Sequence, residues 1–217
     1  MIVVGWSSGG HLSLTLGYTS LSHSIQPPNT IMALCCPADF EDAFWVQPNV
    51  PTGAEPGEDN LDDEFWTRGI LDRPGTCSTV ATGKRDLDGW LAPSDPRSRL
   101  LLNMDMRGRT LDILLGGLDK RTRPILKGGS VTGDNIRADS PLAQTRAGHY
   151  TTLTSIAHPQ TDDLIPWQQS TRAYETSRAQ EVDAELRIVD EGTPHMFDVH
   201  HRGRGHEAGM KAIQEGY

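Results

Sequence analysis

Long apolar runs are missing from this sequence: no stretch of about 18 residues is apolar enough to cross a bilayer. Met1 leads straight into Ile-Val-Val-Gly, without the basic stretch and small-residue cleavage site of a secretory leader, so no signal peptide is expected. Positive charge is also short. The 20 Lys and Arg face 29 Asp and Glu, and the net charge of −9 argues against nucleic acid or an anionic membrane as a partner. Cysteine is scarce, with Cys35 and Cys36 adjacent and Cys77 alone. That pattern suits neither a disulfide framework nor the paired spacing of a metal site, so no metal or other cofactor is expected. Reduced, partly buried thiols in a cytoplasmic protein are the expectation. Hydrophobic residues make up only 36% of the 217, while Gly 22 and Pro 14 are generous, which implies long irregular connections around a modest core.

What is present is organised in three parts. In residues 1–39, Met1–Val4 and Thr30–Cys36 read as short strands buried on both faces. Between them, the segment from His11 to Thr19 has ambiguous periodicity but must be helical if the turn before it is sharp. Residues 40–150 change character, with Pro, Gly and Asp alternating with the patches Phe44-Trp45, Phe65-Trp66, Trp90-Leu91 and Leu100–Leu102. This stretch is too polar for a central sheet and is expected to be an inserted helical lid. Regularity returns in residues 151–217. Thr151–Ala157 and Glu185–Val189 read as strands, Pro166 to about Gln180 as a helix, and Gly205–Tyr217 as a terminal helix. Strands alternating with helices predict an α/β architecture with a parallel sheet.

The chemistry concentrates at three strand ends. Gly5-Trp6-Ser7-Ser8-Gly9 matches G-x-S-x-G between a strand and a helix, where the turn holds the central serine in a strained conformation. Glycines on either side of Ser7 are expected to relieve Cβ clashes, and the backbone N–H of Ser8 is expected to face a developing oxyanion. After Glu185–Val189 comes Gly192-Thr193-Pro194-His195, which makes His195 the candidate base. After Thr151–Ala157 comes Thr161-Asp162-Asp163, in which Asp162 is the first candidate to orient the imidazole and Asp163 the second, the other of the two being expected to cap the helix from Pro166. His11 is expected to be structural or solvent-facing, and His200, His201 and His206 a solvated turn. The chain order Ser7, Asp162, His195 is the order found in α/β-hydrolases.

These three blocks, with Ser140-Pro141-Leu142, resemble the esterase/lipase group of α/β-hydrolases related to hormone-sensitive lipase. The stretches Asp95-Pro96-Arg97-Ser98-Arg99 and Ser140-Pro141-Leu142-Ala143-Gln144 are further similar to hydrolase domains of fungal secondary metabolism, including C-terminal releasing domains of non-reducing polyketide synthases. The resemblance implies an α/β-hydrolase fold and a serine hydrolase acting on a small-molecule ester or acyl thioester. Trp6, Phe44, Trp45, Trp66 and Trp90 are then candidates to line the acyl pocket. The acid loop departs from the group's His-Gly-Thr-x-Asp, reading His158-Pro159-Gln160-Thr161-Asp162. The strands and H-G-G loop that precede the serine in that group have no counterpart in Met1–Val4. The chain is therefore expected to correspond to the C-terminal part of a hydrolase, with an unpaired edge at its first strand that favours self-association or a partner supplying strands. A catalytically impaired remnant serving as an interaction module is the alternative. A dehydrogenase is disfavoured, because Gly5–Gly10 lacks the G-x-G-x-x-G spacing and no acidic residue ends the second strand.

Overall fold

The computed structural model describes residues 1–49, 104–116, 131–162, 164–189 and 195. The terminal segment Gly205–Tyr217, Cys77, Phe65, Trp66, Trp90, Asp163, His200, His201 and His206 lie outside them. The chain divides into two compact units, one of Met1–Asp42 with Ile136–Tyr217 and one of Ala43–Asn135.

The first unit is built on a sheet of four parallel strands in sequence order: β1 (Ile2–Trp6), β2 (Thr30–Leu34), β3 (Leu153–Pro159) and β4 (Ala184–Val189). The register runs Gly5 against Ala33 and Ala33 against Ile156, so the C-terminal ends of the strands line up along one edge. β1 continues two residues beyond the expected Val4, because Gly5 and Trp6 keep pairing with β2 before the chain turns. The ambiguous His11 segment is helical, within α1 (Ser8–Thr19).

β2 shows why an apolar run need not alternate. Ile31 and Ala33 point to one face and Met32 and Leu34 to the other, and all four are buried. On the first face they meet Leu14 of α1, Leu142 of a short helix at Pro141–Arg146, Tyr150, Ile156 and Ala173 of the helix Gln168–Ala179. On the second face Met32 and Leu34 join Cys35, Ala157 and Val189. Burial pushes the Cys36 thiol up to about 12, which leaves it a small apolar filler. β1 departs from expectation. Ile2 is 56% exposed and Val4 38%, although both are as apolar as the residues of β2. Composition favours burial, but Ile2 and Val4 share a face of β1 that the described residues leave exposed, whereas Val3 on the other face is partly covered.

Beyond β2, a polar clamp fixes the chain. Gln169 Oε1 accepts from the N–H groups of Ala38 and Asp39 at 3.3 Å, and Arg172 pairs with Asp39 at 3.0 Å and with Asp42. His11 is structural, with Nδ1 3.3 Å from the Pro37 carbonyl and its ring stacked on Phe40 at 4.5 Å. In the second unit, Trp45 is buried in a 3-10 turn at Ala43–Val46 and meets Phe44 edge-on at 4.9 Å. A helix at Thr110–Gly116 begins beside Asp105, whose carboxylate accepts the Thr110 hydroxyl at 2.5 Å.

Candidate active site

Ser7 occupies the turn between β1 and α1 with φ 52° and ψ −126°. A non-glycine residue in this region carries strain of about 1–3 kcal/mol, which the surroundings must enforce. The Ser7 N–H is tied to the Leu34 carbonyl at 2.8 Å, and its carbonyl accepts the N–H of His11 at 3.1 Å. The turn is tight enough that a Cβ on Gly5 would lie 2.2 Å from the Gly9 carbonyl oxygen and 2.4 Å from Ser13 Oγ. The expectation of a matching clash at Gly9 is corrected: a Cβ there meets nothing within 4 Å of the described residues. Gly10 carries that constraint instead, since its Cβ would stand 2.6 Å from Cys36 Cβ. The Ser7 side chain does not cap α1, and Ser8 opens the helix at an exposed position, where first-turn N–H groups face outward along the dipole.

Asp162 follows β3. Its side chain is fully buried, and Oδ2 lies 2.7 Å from Nδ1 of His195, itself buried. A carboxylate is only an acceptor, so Nδ1 carries the proton and Nε2 is left as the basic lone pair of the neutral ring. The other oxygen, Oδ1, accepts the N–H groups of Leu164 and Ile165, both at 2.9 Å. Asp162 thus ties down the following turn by itself, a task the sequence suggested for Asp163. The helix itself starts later, at Gln168, and has no side-chain cap.

His158 is the residue the sequence did not single out for a role. It is fully buried on β3, with Nε2 3.1 Å from Asp162 Oδ2 and 3.1 Å from the Ile165 carbonyl oxygen, and Nδ1 2.7 Å from Ser170 Oγ. Its position four residues before the candidate acid was the available signal. Burial opposes ionisation of Asp162. The hydrogen bonds and charges of His158 and His195 outweigh it, and hold the carboxyl well below the usual carboxylate range.

Cys35 also enters the site. It has φ 49°, and its Sγ and the ligand atoms of Asp162 and His195 all lie within 4.8 Å of one another. The set combines thiol, imidazole and carboxylate, but the 2.7 Å His–Asp separation is that of a direct N–H···O hydrogen bond. Ser7, Cys35, Asp162 and His195 all follow C-terminal strand ends. Of the candidate pocket aromatics, Trp6 is 41% exposed at the end of β1, and Phe44 and Trp45 pack on each other in the second unit.

A parallel sheet whose first strand turns through a strained serine into a helix, with an acid after the third strand hydrogen-bonded to a histidine after the fourth, is the α/β-hydrolase fold. Along its whole length the chain is homologous to C-terminal regions of fungal non-reducing polyketide synthases. It is 39% identical over 223 residues to the non-reducing polyketide synthase adrD of Penicillium roqueforti, 35% over 224 residues to ausA of Penicillium brasilianum and 35% over 223 residues to mapC of Penicillium brevicompactum. Each match covers 100% of this chain, which spans 9% of the length of these relatives. No protein-family model matches. Among solved structures, carboxyl esterase 2 of the fungus Tuber melanosporum is similar with a TM-score of 0.48 and 17% identity, covering 100% of this chain and 52% of that one. Thermogutta terrifontis esterase 2 gives a TM-score of 0.49 and 14% identity, covering 99% and 54%.

Proposed function

We propose that this chain is a serine hydrolase of fungal polyketide metabolism that cleaves a carboxylic ester or thioester. The observation that supports this best is the buried 2.7 Å contact of Asp162 with Nδ1 of His195, which leaves Nε2 as a base at the sheet edge that also carries the strained Ser7. In this reading Nε2 takes the Ser7 proton as Oγ attacks the substrate carbonyl. Asp162 holds the imidazole in the required tautomer and stabilises the imidazolium. The backbone N–H of Ser8 donates to the oxyanion. Collapse of the tetrahedral species expels the alcohol or thiol, which leaves with the proton from His195, and water or a second alcohol resolves the acyl-enzyme by the same steps in reverse. The lid role of the middle segment and the pocket role of the aromatics belong to the same proposal. So does a strand-supplying partner or second copy at β1, for which the exposed Ile2 and Val4 speak.

A fluorophosphonate probe tests the reading. It is expected to label the intact chain, Ser7→Ala to lower the labelling rate at least about a thousandfold, and Ser8→Ala to retain labelling. Equal labelling of the Ser7→Ala protein would remove Ser7 as nucleophile and leave the interaction-module alternative in place.

A further inference from the structure

Asp162 accepts four hydrogen bonds from this chain: two backbone N–H groups at Oδ1, and at Oδ2 the N–H groups of His195 and His158. The His158 contact has a definite polarity. Both groups facing its Nε2, the Asp162 carboxylate and the Ile165 carbonyl, are acceptors, so Nε2 must carry a proton. In the neutral ring Nδ1 is then a lone pair, and the hydroxyl of Ser170, 2.7 Å away and itself fully buried, donates into it. Ser170 sits on the helix Gln168–Ala179, which packs on β3 and β4. The sequence Ser170, His158, Asp162 therefore forms a second serine–histidine–aspartate chain on the same carboxylate oxygen, with all three side chains closed to solvent.

We propose that His158 and Ser170 are positioning residues: a buried relay that fixes the direction and the charge of Asp162 for His195. The inference deepens the hydrolase reading and rests on it. A single carboxylate oxygen shared by two imidazole donors cannot rotate toward one without losing the other. Its negative charge is also partly compensated before His195 is protonated. Among the described residues, the titratable groups around Asp162 are His158 on β3, His195 after β4, and the Cys35 and Cys36 thiols after β2. With His158 removed, Oδ2 keeps a single imidazole donor and can turn with it, so the direction of His195 is held less firmly.

The test uses the full chain and two readouts. Imidazole 15N shifts are expected to show His158 as the neutral Nε2–H tautomer, and Ser170→Ala to shift it toward a mixture. Fluorophosphonate labelling is expected to slow by about tenfold in His158→Leu, the effect of losing one hydrogen bond to a charged group. His158→Gln keeps an amide donor near the position of Nε2 and is expected to stay within about threefold of the original rate. Ser170→Ala removes only a hydroxyl and is expected to lose about threefold, so it decides the matter if the leucine variant does not fold. An Nδ1–H tautomer for His158, or an unchanged rate in His158→Leu or in a Ser170→Ala protein whose tautomer is also unchanged, would overturn the relay. The tautomer is read without labelling, so a protein that labels equally without Ser7 would defeat the hydrolase reading and still report on His158.

Discussion

At the β1 end of the sheet edge, Ser7 is held by steric exclusion, whereas at the β3 end Asp162 is held by saturation of its hydrogen bonds. Around Ser7 the means are small residues and strain: Gly5 and Gly10 admit backbone and Cys36 at distances no side chain would tolerate, and the serine itself takes a positive φ. The surroundings are open, with Trp6 and Ser8 exposed. Around Asp162 no backbone strain is needed. Two N–H groups and two imidazoles converge on one fully buried carboxylate. The contrast suits the roles proposed for the two groups. A nucleophile has to stand clear of the protein to meet a substrate, so backbone geometry aims it, whereas an orienting acid never meets substrate and can be enclosed on every side.

The comparison breaks most visibly at the glycines. Gly5→Ala is expected to destabilise the chain by about 3 kcal/mol, since the added methyl collides with the Gly9 backbone and not merely with a mobile side chain. Gly9→Ala is expected to be neutral or to stabilise by up to about 1 kcal/mol, because its Cβ enters open space within a helix. Urea midpoints of the two variants check this. Similar losses in both would mean that the elbow is not held sterically in the way described.

The next effect belongs to the acid. The Asp162 pKa in the folded chain lies below its unfolded value of about 3.9, so its contribution to stability is fully present above that value. That contribution fades as pH falls toward the folded value. Asp162→Asn is expected to cost about 2 kcal/mol near pH 7 and progressively less below about pH 4. Unfolding curves from pH 7 down to pH 2.5 measure the slope. An unchanged acid slope in the variant would show that the carboxylate is not held ionised by its partners.

The smallest change in stability is expected at the open end. Ile2→Lys should alter folding by no more than about 0.5 kcal/mol, because the residue is already 56% exposed. It should nevertheless lower the self-association proposed at β1, read by size-exclusion chromatography, since a charge on a strand that is paired on one side among the described residues opposes strand addition. A monomer before and after substitution would show that the edge of β1 is not an association surface.

Much of this arrangement could be read from residue order. Met1–Val4, Thr30–Cys36, Thr151–Ala157 and Glu185–Val189 are strand-like by composition, and all four runs lie in or overlap one parallel sheet in that order. Asp162 and His195 stand out by following strands, and they lie in contact even though the acid loop departs from the pattern of the group it resembles. Other features were not legible. The exposure of β1 depends on which strands and helices cover it, and Ile and Val look the same covered or bare. Gly9 looked as constrained as Gly5 because spacing in the chain says nothing about which neighbour comes close; Cys36, 26 residues on from Gly10, decides that.

By itself the amino-acid order determined the local events: strands where β-branched runs occur, a turn where Gly5 and Ser7 allow one, and helices after them. These depend on backbone sterics between residues close in the chain. Only the tertiary structure decided which distant groups share a proton. His195 reaches Asp162 across 33 positions, and His158 is a partner of the acid rather than a spare core histidine because Ser170 and Ile165 close around it. Hydrogen bonds of that kind act over about 3 Å, and packing of the helix at Gln168–Ala179 against β3 is what brings Ser170 within that distance of His158.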